Sequence, residues 1–183
     1  PSSPRPNSAK LASKENIYMV HLPTQAQSFA HSEPKTLKVT DSKRVISQRI
    51  VEIKKLFPRV RYLNNHTGSK FTADERAMRD LLLALKANHI KFIDSRTTAK
   101  TKAPKLTKEL GMKYVARDVF LDHHMDKAYV LSQIKQAIKV AKAHGHAIAI
   151  GHPHKNTLEA LKESKGLLKQ VELVYIDRYY KAI

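Results

Sequence analysis

The chain has 183 residues, of which 42% are hydrophobic, a length and composition typical of a globular domain with a substantial core rather than of a disordered segment. It contains no cysteine, which excludes disulfide bonds and thiolate metal sites and leaves His, Asp and Glu as the side chains for metal binding. Its 34 basic and 16 acidic residues give a formal net charge of +18, which favours polyanionic partners.

Six short apolar runs predict strands, and each run ends in a polar side chain with useful chemistry. The runs end at His21, Asn64, Asp94, Arg117, His152 and Asp177. The fourth strand is predicted near residues 113–116 and the sixth over residues 171–176. A buried strand gains no stability by ending in His, Asn or Asp, whereas α/β proteins assemble their sites at the outer ends of parallel strands. These strand ends are therefore the candidate functional positions.

Helices are predicted between the strands. Asp41 is expected to cap a helix over residues 41–57, and Thr72 with Glu75 is expected to form a capping box for the next helix. Further helices are predicted over residues 104–110, 126–144 and 156–165. The alternation of strands and helices predicts a parallel sheet, either an open doubly wound sheet or a closed (β/α) barrel. Residues 22–40 have no periodicity and are predicted to be a long loop, a kind of segment that is usually functional or mobile.

The densest polar cluster is the run Asn64-Asn65-His66-Thr67-Gly68-Ser69. Its two amides and its imidazole could bind a metal ion or a sugar, or the Asn side chains could satisfy their own backbone in a turn. Asp94 could act as a base or a metal ligand, and Arg117 could keep such a carboxylate ionised. A structural ion pair is the alternative for an Asp with a basic neighbour.

The run Gly151-His152-Pro153-His154 follows a predicted strand and precedes a predicted helix. Alternation along an extended segment means that the two His side chains need not share a face, and we expect His152 to point into a site. Neither Ser69 nor Ser95 lies in the Gly-x-Ser-x-Gly turn of an α/β-hydrolase nucleophile. Hydrolysis by a metal-activated water fits a chain with His, Asp and Asn at its strand ends and no Cys.

Taken as a set, these segments resemble the divergent polysaccharide deacetylase family. The segments are His21-Leu22-Pro23, Asn64-Asn65-His66-x-Gly68-Ser69, Asp94-Ser95-x-Thr97, Arg117-Asp118-Val119-Phe120-Leu121-Asp122 and Gly151-His152-Pro153-x-x-x-Thr157. The resemblance covers nearly the whole chain and implies an α/β fold. The implied architecture is a distorted or incomplete deacetylase-type (β/α) barrel, with about six mostly parallel strands in a single domain over residues 1–183.

The resemblance also implies a function. It predicts a metal-dependent hydrolase that removes acetyl groups from a polysaccharide or peptidoglycan in the cell envelope or periplasm of a bacterium. A divalent metal, with zinc as the expected ion, would be held by three imidazoles. The implied ligands are His21, His66 and His152. The implied catalytic residues are Asp94, Arg117 and His152. The implied substrate-binding residues are Asn64, Asn65, Ser95 and Asp118.

The sequence departs from the family pattern in three ways. The family's opening strand, which ends in an Asp-Asp pair, has no counterpart here, so we expect the N-terminal strands of the barrel to be missing. Thr24 and Thr67 replace Met residues in two segments that we expect to be neighbours, which predicts a more polar pocket. No signal-peptide pattern opens the sequence, although an envelope role requires export, and no apolar stretch is long enough to cross a bilayer.

Two other functions compete with deacetylation. A non-catalytic glycan- or protein-binding module on a degenerate barrel would explain the missing acidic strand. A polyanion-binding basic protein would explain the net charge of +18. The few aromatic residues are not interleaved with the basic ones, so we expect no specific nucleic-acid partner. An oligomer is compatible with all three functions.

Overall fold

The computed structural model describes residues 7–28 and 33–183 of the chain. Part of the predicted loop over residues 22–40 therefore lies outside the described residues. The chain divides into two compact units, Pro1–Val115 and Ala116–Ile183. Within the described ranges, none of the helices combines the length and the hydropathy needed to span a membrane. The prediction of one domain over residues 1–183 stays a prediction.

The first unit contains a three-stranded parallel sheet with the strand order β1-β2-β3. Its strands are β1 (Met19–Thr24), β2 (Tyr62–Thr67) and β3 (Lys91–Ile93). Its helices are α1 (Ser8–Ala12), α2 (Lys43–Leu56), α3 (Glu75–Ala87) and α4 (Ala103–Glu109). Strand and helix alternate along this unit, as the hydrophobic pattern predicts.

Both long helices of the first unit bury an apolar stripe, and each is capped one or two residues away from the predicted position. Ser42, rather than Asp41, caps α2, because its side chain accepts the amide hydrogen of Val45. Asp74, rather than Thr72, caps α3 by accepting from the Ala77 amide. The stripe residues are almost inaccessible to solvent: Ile46, Ile50, Ile53, Met78, Leu81, Leu82 and Leu85. Burial of each large aliphatic side chain contributes roughly 1.5–3 kcal/mol, which fixes both helices on the sheet.

The second unit contains a two-stranded parallel sheet and four helices. Its strands are β4 (Val119–Phe120) and β5 (Ala149–Ile150). Its helices are α5 (Lys127–His144), α6 (Lys155–Glu163), α7 (Lys165–Leu168) and α8 (Ile176–Ala182). Asp126 caps α5 through the amides of Ala128 and Tyr129, and Gly145 ends it at φ 79°. The predicted helix over residues 126–144 is thereby confirmed to within one residue.

The strands of the described residues number five rather than about six, and neither sheet closes into a barrel. The fourth strand forms at Val119–Phe120, where it pairs with β5. Near residues 113–116 the pairing is limited to a bridge at Ala116 and to a hydrogen bond of 2.8 Å from the Asp94 amide to the Val115 carbonyl. The sixth predicted strand, over residues 171–176, does not form. Leu173 and Tyr175 are 72% and 70% exposed there, and the segment leads into α8. Its apolar pattern alone could not supply the neighbouring strand that backbone pairing requires.

Gly68 provides a test of the turn that follows β2. Its φ of 95° lies in the left-handed region, and a Cβ there would overlap the Thr24 hydroxyl. We expect Gly68→Ala to lower the free energy of unfolding by about 2–4 kcal/mol, the sum of backbone strain and overlap. Gly111→Ala is the matched control, because Gly111 has φ 61° but nothing within 4 Å of the added Cβ. It should cost about 1 kcal/mol in urea denaturation. Equal losses would contradict the close approach of Thr24.

Candidate functional site

The first group of predicted site residues lies where β1 and β2 run side by side. Their parallel register pairs His21 with Asn64 and Pro23 with His66. Paired residues of neighbouring strands share a face, and residues two apart on one strand share it as well. The register therefore places His21, Asn64 and His66 on the same face of the sheet. Both strands continue past the predicted ends at His21 and Asn64, to Thr24 and Thr67, because the backbone pairing extends that far.

The rings of His21 and His66 meet at an interplanar angle of 61° on this face, with one nitrogen of each ring directed at the other ring. Nε2 of His21 and Nδ1 of His66 are 2.9 Å apart, and the ring centroids are 4.7 Å apart. The second nitrogen of each ring, the one that points away from the other ring, contacts a side-chain oxygen. Nδ1 of His21 lies 2.9 Å from Oδ1 of Asn64, and Nε2 of His66 lies 3.3 Å from a carboxylate oxygen of Glu33. Two facing imidazole nitrogens held in this way can share a proton or act as two ligands of one metal ion.

Ser95 determines which way the Asn64 amide points. Its hydroxyl donates to the backbone carbonyl of Asn65 at 2.7 Å, because a carbonyl can only accept. The same oxygen then accepts from Nδ2 of Asn64 at 3.1 Å. Oδ1 of Asn64 consequently faces His21 and accepts the hydrogen of its Nδ1. This assignment makes Nε2 of His21 the acceptor nitrogen, which is the form that binds a metal.

Asn65 is fully buried, and both ends of its amide contact the main chain. Its Oδ1 accepts from the amide of Ser95 at 2.9 Å, and its Nδ2 donates to the carbonyl of Thr67 at 2.6 Å. The side chain therefore joins the ends of β2 and β3, which is the structural alternative considered for this Asn. A role for Asn65 in substrate binding stays a prediction.

Thr24 and Thr67 are direct register partners, so the prediction that their segments are neighbours is confirmed. The Thr67 hydroxyl donates to the carbonyl of Thr24 at 2.5 Å, and the Thr24 hydroxyl donates to the carbonyl of His66 at 3.2 Å. Through these hydrogen bonds, the two hydroxyls join the ends of β1 and β2 beside the His pair.

Asp94, the predicted catalytic base, is fully buried at the end of β3. Its carboxylate accepts from the Arg96 amide at 2.8 Å, the Thr101 hydroxyl at 2.9 Å and the Tyr114 hydroxyl at 3.3 Å. A buried carboxylate with several donors is stabilised where it lies, so Asp94 holds the segment that follows β3. Its catalytic role stays a prediction.

In the second unit, His152 follows β5 and contacts Asp122, which follows β4. The Asp122 carboxylate accepts from the His152 amide and lies 3.2 Å from Nδ1 of the same residue. It also accepts from the Thr157 hydroxyl at 3.2 Å, and its side chain is fully buried. Because an ionised carboxylate can only accept, His152 carries its hydrogen on Nδ1. The contact therefore directs Nε2 of His152 away from Asp122.

Asp122 and His152 also form a group with His154. Each of the three offers one ligand atom, and these atoms lie within 4.8 Å of one another. His154 is exposed, whereas His152 is half-buried. That His152 points into a site stays a prediction. The sequence identifies the motif around Asp122 but does not reveal that its carboxylate is the partner of His152.

Arg117 and Asp118 have separate environments in the second unit. The guanidinium of Arg117 lies 5.1 Å from the centre of the Phe120 ring, a cation–π contact. Asp118 is exposed, and its carboxylate accepts from the Ile148 amide at 2.7 Å. Burial, reinforced by the negative charge of Asp118, raises the pKa of Tyr179. The predicted roles of Arg117 in catalysis and of Asp118 in substrate binding stay predictions.

The comparisons with known proteins agree with the resemblance found in the sequence. The pattern described as divergent polysaccharide deacetylase matches residues 2–180. The chain belongs to the divergent polysaccharide deacetylase family. It is 36% identical to an uncharacterized protein of Haemophilus influenzae and 33% identical to the uncharacterized protein YibQ of Escherichia coli. The alignments cover 99% and 89% of this chain.

This deacetylase-family chain spans 66% of the Haemophilus protein and 52% of YibQ. Its structure is also similar to that of the uncharacterized protein ATU2773 from Agrobacterium tumefaciens C58, with a TM-score of 0.79 over 88% of this chain and 67% of that one. The sequence identity to ATU2773 is 17%, so this likeness concerns the fold alone.

The contact between Asp122 and His152 can be tested by substitution. Asp122→Ala leaves the buried His152 amide and Thr157 hydroxyl without their acceptor, which should lower the free energy of unfolding by about 2–4 kcal/mol. Asp122→Asn keeps one oxygen and should cost less. The control is Asp118→Ala, because exposed Asp118 also accepts one amide and should cost about 1 kcal/mol or less. Nitrogen-15 NMR of His152 should show Nδ1–H in the wild type and a mixture of tautomers in Asp122→Ala; an unchanged spectrum would refute the orienting contact.

Proposed function

We propose that this protein is a metal-dependent, deacetylase-like hydrolase that acts on an acetylated polysaccharide or peptidoglycan of the bacterial cell envelope. The observation that carries the proposal is the pair His21 and His66, whose ring nitrogens meet on one face of two paired strands. Membership of the divergent polysaccharide deacetylase family supports the substrate class. A distorted deacetylase-type barrel is part of the proposal, supported by the parallel pairing within each unit.

The side chains around the His pair fit a divalent metal such as zinc. Zinc sites in proteins use neutral imidazole nitrogens, and the second nitrogen of a ligating ring usually donates to an oxygen of the protein. His21 meets this requirement through Asn64, and His66 meets it through Glu33. Neither ring can then turn without losing that contact. The two imidazoles are therefore aligned before any ion binds.

The remaining residues have proposed roles in acetyl hydrolysis. A bound zinc ion would supply Lewis acidity and activate water for attack on the acetyl carbonyl. Asp94 is the proposed base, and Arg117 is proposed to stabilise the negative charge that develops on the carbonyl oxygen. Asn64 and Ser95 orient His21 by the hydrogen bonds described above. We propose that they also lie beside the bound sugar.

His152 has two proposed roles that experiment can separate. Its Nδ1–H is held by Asp122, so its Nε2 can either ligate the metal or give a proton to the leaving group. A ligand role predicts that His152→Ala loses metal. A proton-donor role predicts that His152→Ala keeps the metal and loses acetate release.

A non-catalytic glycan-binding module is the second candidate, and the environment of Asp94 favours it. Three donors of the chain itself already surround that carboxylate, which is the arrangement of a structural anchor. Such a module would bind peptidoglycan without turnover. Polyanion binding stays a prediction from the net charge and would weaken steeply with salt, independently of the His residues.

The metal site is tested with His21→Ala and His66→Ala in the full chain. Each should lower zinc affinity by at least about 100-fold, because an imidazole ligand contributes more than the surrounding contacts, whose loss costs about 10–100-fold. Isothermal titration would measure zinc binding, and an enzymatic acetate assay would follow hydrolysis of acetylated chitooligosaccharide and peptidoglycan. His144→Ala is the control, because His144 is exposed at the end of α5.

Three outcomes separate the candidate functions. Zinc binding and acetate release that both depend on His21 and His66 support the hydrolase. Binding of peptidoglycan that survives His66→Ala, with no acetate released by the wild type, supports the glycan-binding module. A wild type that binds neither zinc nor glycan overturns both.

A further inference from the structure

A carboxylate beside the His pair comes from the loop that precedes α2. Oε1 of Glu33 lies 3.3 Å from Nε2 of His66, and the two side chains are 32% and 23% exposed. The sequence patterns assign no function to this Glu. Its contact with a predicted metal ligand is nevertheless one of the interactions that define the geometry of the site.

The backbone around Glu33 is anchored to the sheet. Both the amide and the hydroxyl of Thr36 donate to the carbonyl of Glu33, at 3.2 and 2.7 Å. Leu37 is buried and forms a bridge to Thr24, and the Leu37 amide donates to the carbonyl of Pro23 at 3.0 Å. Glu33 therefore projects from a turn that is fixed only four residues later to the strand carrying His21. This connection holds the carboxylate in reach of His66.

The hydrogen-bond partners of the two rings impose a common orientation. Nδ1 of His21 donates to Asn64, and an ionised Glu33 can only accept, so Nε2 of His66 donates to it. In two neutral rings, the lone pairs of the remaining nitrogens then face each other across 2.9 Å. Two facing lone pairs repel, so a proton shared between the nitrogens accounts for the separation of 2.9 Å, and a cation bound by both nitrogens at about 2.0–2.1 Å would replace this proton once they move apart. Glu33 thus contributes to a geometry that suits a cation.

We propose that Glu33 is a positioning residue of the metal site, which holds His66 with Nδ1 directed toward the ion. This inference rests on the proposed metal site and adds a residue from the loop to it. Glu33 is not a ligand in this arrangement, because its carboxylate contacts the ring nitrogen that points away from His21. The negative charge also makes the His66 ring a stronger donor to the metal, as carboxylate–histidine pairs do at zinc sites.

The test compares Glu33→Ala and Glu33→Gln with the wild type in the full chain. Competition with a chromophoric chelator should show that Glu33→Ala weakens zinc binding by about 10–100-fold. Glu33→Gln should recover part of the affinity, because its amide oxygen can still accept from Nε2–H. Glu52→Ala is the matched control, because Glu52 is another Glu in ion pairs, on α2 and away from the His pair. Its partners are Arg49, also on α2, and Lys35, in the loop that carries Glu33. This variant should bind zinc as the wild type does.

A second measurement needs no metal. Nitrogen-15 NMR of the metal-free wild type should place the hydrogen of His66 on Nε2, and Glu33→Ala should shift it toward a mixture of Nδ1–H and Nε2–H. A merely structural role for Glu33 would leave this signature unchanged. Zinc affinity within twofold of the wild type in Glu33→Ala, or a His66 tautomer that does not respond, overturns the proposal.

The variants also distinguish this inference from the proposed function. If His21→Ala and His66→Ala lose zinc while Glu33→Ala keeps it, the metal site stands and the role of Glu33 fails. If the wild type itself binds no zinc, the proposed metal site fails, and the tautomer measurement still decides whether Glu33 orients His66. Circular dichroism of each variant would confirm that it is folded.

Discussion

Six consecutive residues of β1 pair in parallel register with six of β2, and the site of the first unit depends on this pairing. It brings His21 opposite Asn64 and places His66 two residues further along the same face. A shift of the register by one residue would turn His66 to the other side of the sheet. The apolar residues beside these positions, Leu22 and Leu63, are fully buried, so the register is fixed by the core.

The same kind of hydrogen bond, from Nδ1 to an acceptor on a neighbouring segment, orients a histidine in each unit. His21 lies within β1 and donates from Nδ1 to its register partner Asn64 on β2, while His152 follows β5 and donates from Nδ1 to Asp122, which follows the neighbouring strand β4. Parallel pairing brings the acceptor on the neighbouring segment level with the ring. In both cases the contact assigns the hydrogen to Nδ1 and makes Nε2 the nitrogen for chemistry.

Several polar residues of the family motifs are parts of the scaffold in this structure. Asn65 and Asp94 are fully buried, and their polar atoms contact donors and acceptors of the chain itself. An unsatisfied buried amide or carboxylate would cost free energy, so these contacts are requirements of the fold. A motif residue can therefore support a site by holding the strand ends without touching a substrate. Glu33 shows the converse, since it belongs to no motif and contacts His66.

The sequence by itself determined the alternation of strands and helices, the buried stripes of α2 and α3, and the strands on or after which His21, His66 and His152 lie. These features follow from local periodicity and from motif residues close together in the chain. The sequence also identified the family, and it placed Thr24 and Thr67 on neighbouring segments. Each motif is a short local run, whereas the family and the neighbouring placement of Thr24 and Thr67 follow from the set of motifs along the whole chain.

Only the tertiary structure decided which polar groups meet. Glu33 and His66 are 33 residues apart, and Asp122 and His152 are 30 residues apart, so neither contact has a local signature. The strand predicted over residues 171–176 failed for the same reason: its apolar pattern is local, but a strand exists only where another backbone offers hydrogen bonds. The sequence specified the side chains of the candidate site, and long-range pairing decided their orientation.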